Sequence, residues 1–347
     1  MFSPVYSVTA KLLASISLVE RARGRVDAAR LTPEQAASLQ KHAELEMITA
    51  SAGLSDHSLA RREIEAILAG RDVHAPVKAI TEVRNAKAGI EWARRRELDP
   101  APLTLDDIRA MHRLFTGGLG LDHELGEFRQ GPAVIVHPAL GATWGDYKAP
   151  PAEVVEARLT ALLAWLAKDD SDPHPVIAAG IAHQEIASIR PFTLATGQIA
   201  RLVSRICLGQ RGYSFHDGLA LGSYYLANRT AYHSALDNGA SYLERARASR
   251  DDWLVFYLRG LLNEVDRLTA MIAAFQVEGF EPGQTLRRDE AALLAFAHEY
   301  GSLTKRDAAS ILSPLPRRLA AKRVAAMVDA GRLVEDTTGA HTRYRLA

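Results

Sequence analysis

One cysteine in 347 residues, Cys207, rules out a disulfide framework within the chain and points to a reducing compartment. Its apolar helical surroundings, residues 199–208, make it a small buried hydrophobe rather than a nucleophile. Charge imbalance is missing too. Lys and Arg number 42 against 41 Asp and Glu, so the molecule as a whole is not drawn to nucleic acid or to a membrane, and any basic surface must be local. No long apolar run occurs near the start: residues 1–24 are interrupted by Lys11 and Glu20. That segment also lacks the basic, apolar and small-residue order of a signal peptide, which leads us to expect a soluble cytoplasmic protein without a membrane partner. Internal repeats and low-complexity tracts are absent, which excludes solenoids and disordered tails.

Alanine and leucine are abundant and runs of β-branched residues are few, a composition that predicts a mainly α fold. The length suggests two or three units. We expect a helical region at 1–98, a core at 99–275 and a small α+β module at 285–347, joined to the core by a linker at 279–284. Thr32, Pro33 and Glu34 read as a cap, a first helical proline and an acidic first turn, opening a helix to about Ala52. Residues 58–68 and 77–96 continue as helices. Thr104 caps a helix whose stripe of Ile108, Met111, Leu114 and Phe115 is core. Further helices are expected at 151–167, 176–188, 197–208 and 253–265. Residues 126–150 differ in kind: the β-branched run Val134, Ile135, Val136 and a Gly/Pro-containing turn before Trp144 predict a hairpin.

The most informative stretch is residues 183–205, HQEIASIRPFTLATGQIARLVSR. It resembles the core motif of the Fic family, H-x-x-x-x-x-I-H-P-F-x-D/E-G-N-G-R-x-x-R. The frame is kept in His183, Ile189, Pro191, Phe192, Gly197 and Arg201. The motif histidine falls on Arg190, the acidic metal ligand on Leu194, the first glycine on Ala195, the asparagine on Thr196 and the first arginine on Gln198. The resemblance implies a Fic (Fido) helical core with a short hairpin flap, on which the N-terminal helices pack. The G-x-F-R element at Gly126–Arg129 is similar to the one that precedes that flap, where the family holds a target segment by strand addition.

Family members transfer AMP from ATP to a protein hydroxyl, with the histidine as general base and the acid holding magnesium. Arginine offers donors only and stays charged to about pH 12, so it cannot be that base. Leucine has no oxygen for a hard cation. Both replacements together predict a pseudoenzyme with no catalytic residue at the degenerate positions Arg190, Leu194, Thr196 and Gln198. What remains could still accept a phosphate at the start of the second motif helix, with Arg190, Thr196, Gly197, Gln198 and Arg201 around it and Asn228 and Tyr232 on the adenine side. The site then holds either nothing or ATP or another nucleotide, without a conventional magnesium site. The alternatives are a protein AMP transferase or other nucleotidyl transferase with a non-standard site, using His183, His137 or His216, and a structural interaction module. An upstream inhibitory segment of the family aligns loosely with residues 48–55, with Leu54 where its glutamate would stand.

The C-terminal pattern is three helices, at 288–300, from about 303, and at 317–330 ending on Gly331, then a hairpin of 333–334 and 344–346 with Gly339 at its tip. This resembles a winged helix. Its third helix would enter a DNA major groove with Arg317, Arg318, Lys322 and Arg323, while Leu319, Val324, Met327 and Val328 face the core and Arg343 flanks the wing. The partners implied are DNA at this module or a protein at the flap. Monomer and homodimer both stay open.

Overall fold

The computed structural model describes residues 2–55, 59–120, 122–133, 147–168, 173–275, 288–313, 315–337 and 342–347. Among them are fifteen α-helices and one two-stranded antiparallel sheet, the mainly helical architecture that the composition predicts. The Val134–Val136 run, His137, Trp144, the 279–284 linker and Gly339 lie outside the described residues.

The helices are α1 Ala10–Asp27, α2 Pro33–Leu54, α3 Arg61–Leu68, α4 Val77–Glu97, α5 Leu105–Thr116, α6 Val155–Leu166, α7 Pro175–Ile189 and α8 Thr196–Gln210. They continue with α9 Leu221–Ala227, α10 Arg229–Leu236, α11 Tyr242–Arg247, α12 Asp251–Phe275, α13 Arg288–Tyr300, α14 Lys305–Ile311 and α15 Arg317–Asp329. Two compact units emerge: one holds residues 1–17, 43–214 and 220–261, the other 18–42, 215–219 and 262–347.

Local chemistry sets many boundaries. Thr104 accepts from the Asp107 amide at 3.2 Å while the Asp107 carboxylate accepts from the Thr104 amide at 2.8 Å, a reciprocal cap of about 1 kcal/mol that starts α5. Thr32 and Gln35 do the same before α2, at 3.0 and 3.2 Å. In α7 nearly every side chain is buried, from Val176 to Ile189, so it reads as apolar all round rather than amphipathic. It is the central helix of the first unit and packs along α8. Gly180 permits the close approach of α12, since a Cβ there would lie 3.0 Å from Tyr257 and 3.1 Å from Leu254. The Trp253 indole donates to the Gly180 carbonyl at 2.7 Å and fixes α12 at the same point.

In the second unit, β1 Leu333–Asp336 pairs antiparallel with β2 Arg343–Leu346, Leu333 facing Leu346. Leu303 adds a bridge to Tyr344, with 2.8 Å hydrogen bonds in both directions. Leu293, Leu294, Ala297, Ala308, Val324, Met327 and Tyr344 close the small core under them. Gly331 ends α15 at φ 66°, the left-handed conformation expected of it. One sequence expectation fails here. Leu319 is 46% exposed, and the buried stripe of α15 is Ala320, Val324 and Met327. The close approach of α15 to its neighbours takes the small alanine and turns the larger leucine outward.

Candidate functional site at the α7–α8 loop

The loop between α7 and α8 is held from three sides. Helix α7 ends at Arg190, whose backbone is left-handed at φ 49° and whose N–H still reaches the Ile186 carbonyl at 3.0 Å. Pro191 cannot continue the helix. Phe192 is buried as the anchor: its ring stacks on His112 at 4.0 Å with the planes 5° apart and leans on Phe128 at 5.3 Å. His112 Nδ1 in turn accepts the Gly126 N–H at 3.0 Å.

Arg129, the arginine of the G-x-F-R element, binds the loop from below. Its Nε donates to the Arg190 carbonyl at 2.7 Å, and its terminal nitrogens donate to the carbonyls of Gly131 at 2.7 Å, Pro150 at 2.5 Å and Ile189 at 3.3 Å. Its amide adds a bond to the Pro191 carbonyl at 3.0 Å. One buried guanidinium thus caps α7 and ties both stems of the 131–150 segment to the motif loop. The sequence marked this arginine only as a family signature.

Ala195 starts α8 in the left-handed region at φ 61°, where the family motif has glycine. The turn therefore survives the loss of the glycine, at a cost of about 1 kcal/mol for the added Cβ. The first amides of α8 lie beyond it, unbonded within the helix and carrying its positive dipole end. Thr196 is buried, with its hydroxyl returned to the Phe192 carbonyl at 3.2 Å. The Gln198 amide donates to the Ser55 hydroxyl at 2.9 Å, which brings the end of α2 against the loop. So the segment aligned with the family's inhibitory element does reach the motif, through a neutral hydrogen bond rather than an ion pair. Leu194 is 39% exposed, so it neither plugs the loop nor packs in the core.

Gly197 leaves room for Arg201, whose Nη1 would lie 3.3 Å from a Cβ at that position. Arg201 lies beside Tyr232, and the Tyr232 hydroxyl meets His183 Nε2 at 2.9 Å. Burial first, and Arg201 second, drive the His183 pKa well below its ordinary value, so this histidine stays neutral inside a nest of Tyr225, Tyr232 and Trp253. It is a packing residue. Tyr232 is buried as well, and the Asn228 side-chain amide returns to the Tyr224 carbonyl at 2.9 Å. His216 meets the Val26 carbonyl at 2.9 Å, in the second unit. Cys207 is buried and its thiol pushed up to about 12, as a core cysteine should be.

The family's magnesium does not fit these residues. Leu194 has no oxygen, and no cluster of three His, Cys, Asp or Glu side chains occurs among the described residues. A cleft of about 270 Å³ is lined by Arg109, Arg129 and Gln130 but also by Glu127, Glu153 and Glu156, whose charge sets it against a phosphate. No helix among the described residues is long and apolar enough to cross a membrane.

In the second unit, Arg317, Arg318, Lys322 and Arg343 are exposed. Arg323 pairs with Asp289 at 2.5 Å.

Comparison with known proteins agrees with this geometry. The family model "Fic/DOC family" matches residues 102–208, which span α5 to α8. A uridine 5'-monophosphate transferase of Xanthomonas campestris pv. campestris is 28% identical over 144 residues, 39% of this chain and 26% of that protein. This chain therefore covers about a quarter of that relative. A Fic family protein from Desulfovibrio desulfuricans G20 superposes with a TM-score of 0.66 at 22% identity, covering 100% of this chain and 98% of the other. A Fic-domain-containing signaling protein from Bacteroides thetaiotaomicron gives a TM-score of 0.62 at 23% identity, covering 78% of this chain and 100% of the other. At these identities the structural likenesses establish the fold. Together with the family match they make residues 102–208 a Fic/DOC-family domain.

Proposed function

We propose that this chain is a Fic-fold pseudoenzyme: the α7–α8 loop accepts the phosphates of a nucleotide such as ATP, no group is transferred, and the protein acts as a cytoplasmic regulator through DNA or protein contacts. The observation that carries the reading is the pair of side chains at the two reactive positions. Arg190 cannot take a hydroxyl proton, and the half-exposed Leu194 cannot hold a metal. The anion-accepting parts of the loop support retained binding: the left-handed turn at Ala195, Gly197, and the open amides of α8. The regulatory half draws support from the exposed Arg317, Arg318, Lys322 and Arg343, which suit a DNA phosphate backbone. A protein partner at the 126–150 segment is the alternative contact.

The second reading is a nucleotidyl transferase with displaced residues, favoured by the transferase among the relatives. His183 is no candidate for its base, being buried and held neutral beside Arg201. The test is a titration of the purified chain with ATP and UTP, followed by incubation of a lysate with labelled forms of both and magnesium. We expect binding without transfer. Labelling that disappears in Arg201→Ala would replace the pseudoenzyme reading by the transferase one.

A further inference from the structure

Helix α15 turns one stripe, Ala320, Val324 and Met327, into the core of the second unit and the opposite stripe outward. At about 100° per residue, Arg318, Lys322 and Ala325 fall on the outward stripe, with Leu319 and Ala326 together along its edge, two turns apart. All five are exposed, Leu319 by 46%. The outward face is therefore an apolar strip set between cations.

Charge divides the helix along its length. Arg317, Arg318 and Lys322 crowd the first half, whereas Asp329 stands exposed in the last turn, where a carboxylate repels phosphate. Arg323 is turned aside to Asp289. The end that suits a duplex is thus residues 317–326, a helical rod of the width that a major groove admits.

The side chains on that end limit what can be read there. Adenine is matched by Asn or Gln and cytosine by a carboxylate, and α15 has neither amide while its outward carboxylate lies at the far end. Arg318 and Lys322 can meet phosphates or guanine. Leu319, Ala325 and Ala326 offer only apolar contact, and the base feature that takes it is the thymine C5-methyl group.

We propose that α15 reads thymine methyl groups in the major groove of duplex DNA through Leu319, Ala325 and Ala326, while Arg318 and Lys322 hold the phosphates. This rests on the DNA-binding half of the proposed function and gives it a base preference.

The test is fluorescence anisotropy of the full chain on three short duplexes of equal length. One is A·T-rich, the second has every thymine replaced by uracil, and the third is G·C only. The first two share pairing and charge and differ in the methyl groups. The thymine duplex should bind more tightly than the uracil duplex by about fourfold for each methyl buried, and more tightly than the G·C duplex. Leu319→Ser should shrink the difference between thymine and uracil without flattening the salt dependence, whereas Arg318→Ala and Lys322→Ala should weaken both duplexes alike. Equal affinity for thymine and uracil would overturn the proposal and leave DNA binding standing. So would a difference that persists in Leu319→Ser, which would trace it to duplex shape, or a preference for G·C, which would hand the reading to the cations. Binding to no duplex at low salt would remove both the proposal and the DNA-binding half. A self-association in sedimentation velocity that Leu319→Ser dissolves, with no thymine preference, would give the face to a second copy of the chain and overturn the proposal.

Discussion

Acid should loosen the motif loop through His112, and the size of the effect follows from where that ring lies. His112 is buried against Phe192, its Nδ1 accepts the Gly126 amide, and its Nε2 has no partner among the described residues. Burial lowers its pKa from 6.5 to about 4, with Glu124 opposing and Arg113 assisting. The folded protein therefore keeps this ring neutral over a range where the unfolded chain has already bound a proton. A base with a depressed folded pKa contributes its stability above pH 6.5, and that contribution is lost as the pH falls toward 4. The loss should reach about 2.5 kcal/mol by pH 4.5. The assay is urea unfolding followed by tryptophan fluorescence at pH 7.5, 6, 5 and 4.5, comparing the parent with His112→Asn. Asparagine keeps an acceptor for Gly126 but cannot charge. The variant should be less stable at pH 7.5, where the lost stacking counts, and the gap should close by roughly 2 kcal/mol by pH 4.5. His183 titrates in the same direction in both proteins and cancels in the comparison. A gap that stays constant or widens on acidification would refute the reasoning.

Arg129→Met should destabilise by about 3–5 kcal/mol, since four carbonyls at the α7 end and the 131–150 stems lose their donor; Arg129→Lys should recover less than half of this, as checked by urea unfolding. Ala195→Gly should stabilise by about 1 kcal/mol, because the position is left-handed and starts a helix; an unchanged or lower melting temperature would mean that the turn tolerates the Cβ. Replacing Arg317, Arg318 and Lys322 together with alanine should flatten the slope of log affinity against log salt for duplex DNA by about 2–3 units while changing stability by less than about 0.5 kcal/mol. By contrast, Arg323→Ala should act on the fold and little on DNA, because its guanidinium is committed to Asp289; anisotropy on the same fragments separates the two.

How much of this was legible in the chain depends on how local the deciding chemistry is. Thr104 and Thr32 announce helix starts because a cap is made within four residues, and Gly331 announces a helix end for the same reason. Helix α12 runs ten residues beyond the expected Val265, to Phe275, since neither a cap nor a breaker marks its end in that stretch. On α15 the choice between Leu319 and Ala320 turned on how closely neighbouring elements approach, which hydropathy does not encode, and alanine took the core.

The site divides along the same line. The motif frame and the positions where it departs stood in one run of sequence, and the expected loss of proton acceptor and metal ligand was read from that run alone. The partners that give those replacements their setting did not: Arg129 reaches Arg190 across 61 residues and Gln198 reaches Ser55 across 143. The sequence shows that the motif's first glycine falls on Ala195 but not what the turn does. Ala195 adopts the left-handed conformation that glycine favours, because Phe192 below and the α8 start above hold the loop from both ends. Loop geometry here is fixed by its anchors, and chemistry by the side chains it displays. The two can therefore diverge, with the anchors His112, Arg129 and Phe192 in place around a loop that carries Arg190 and Leu194.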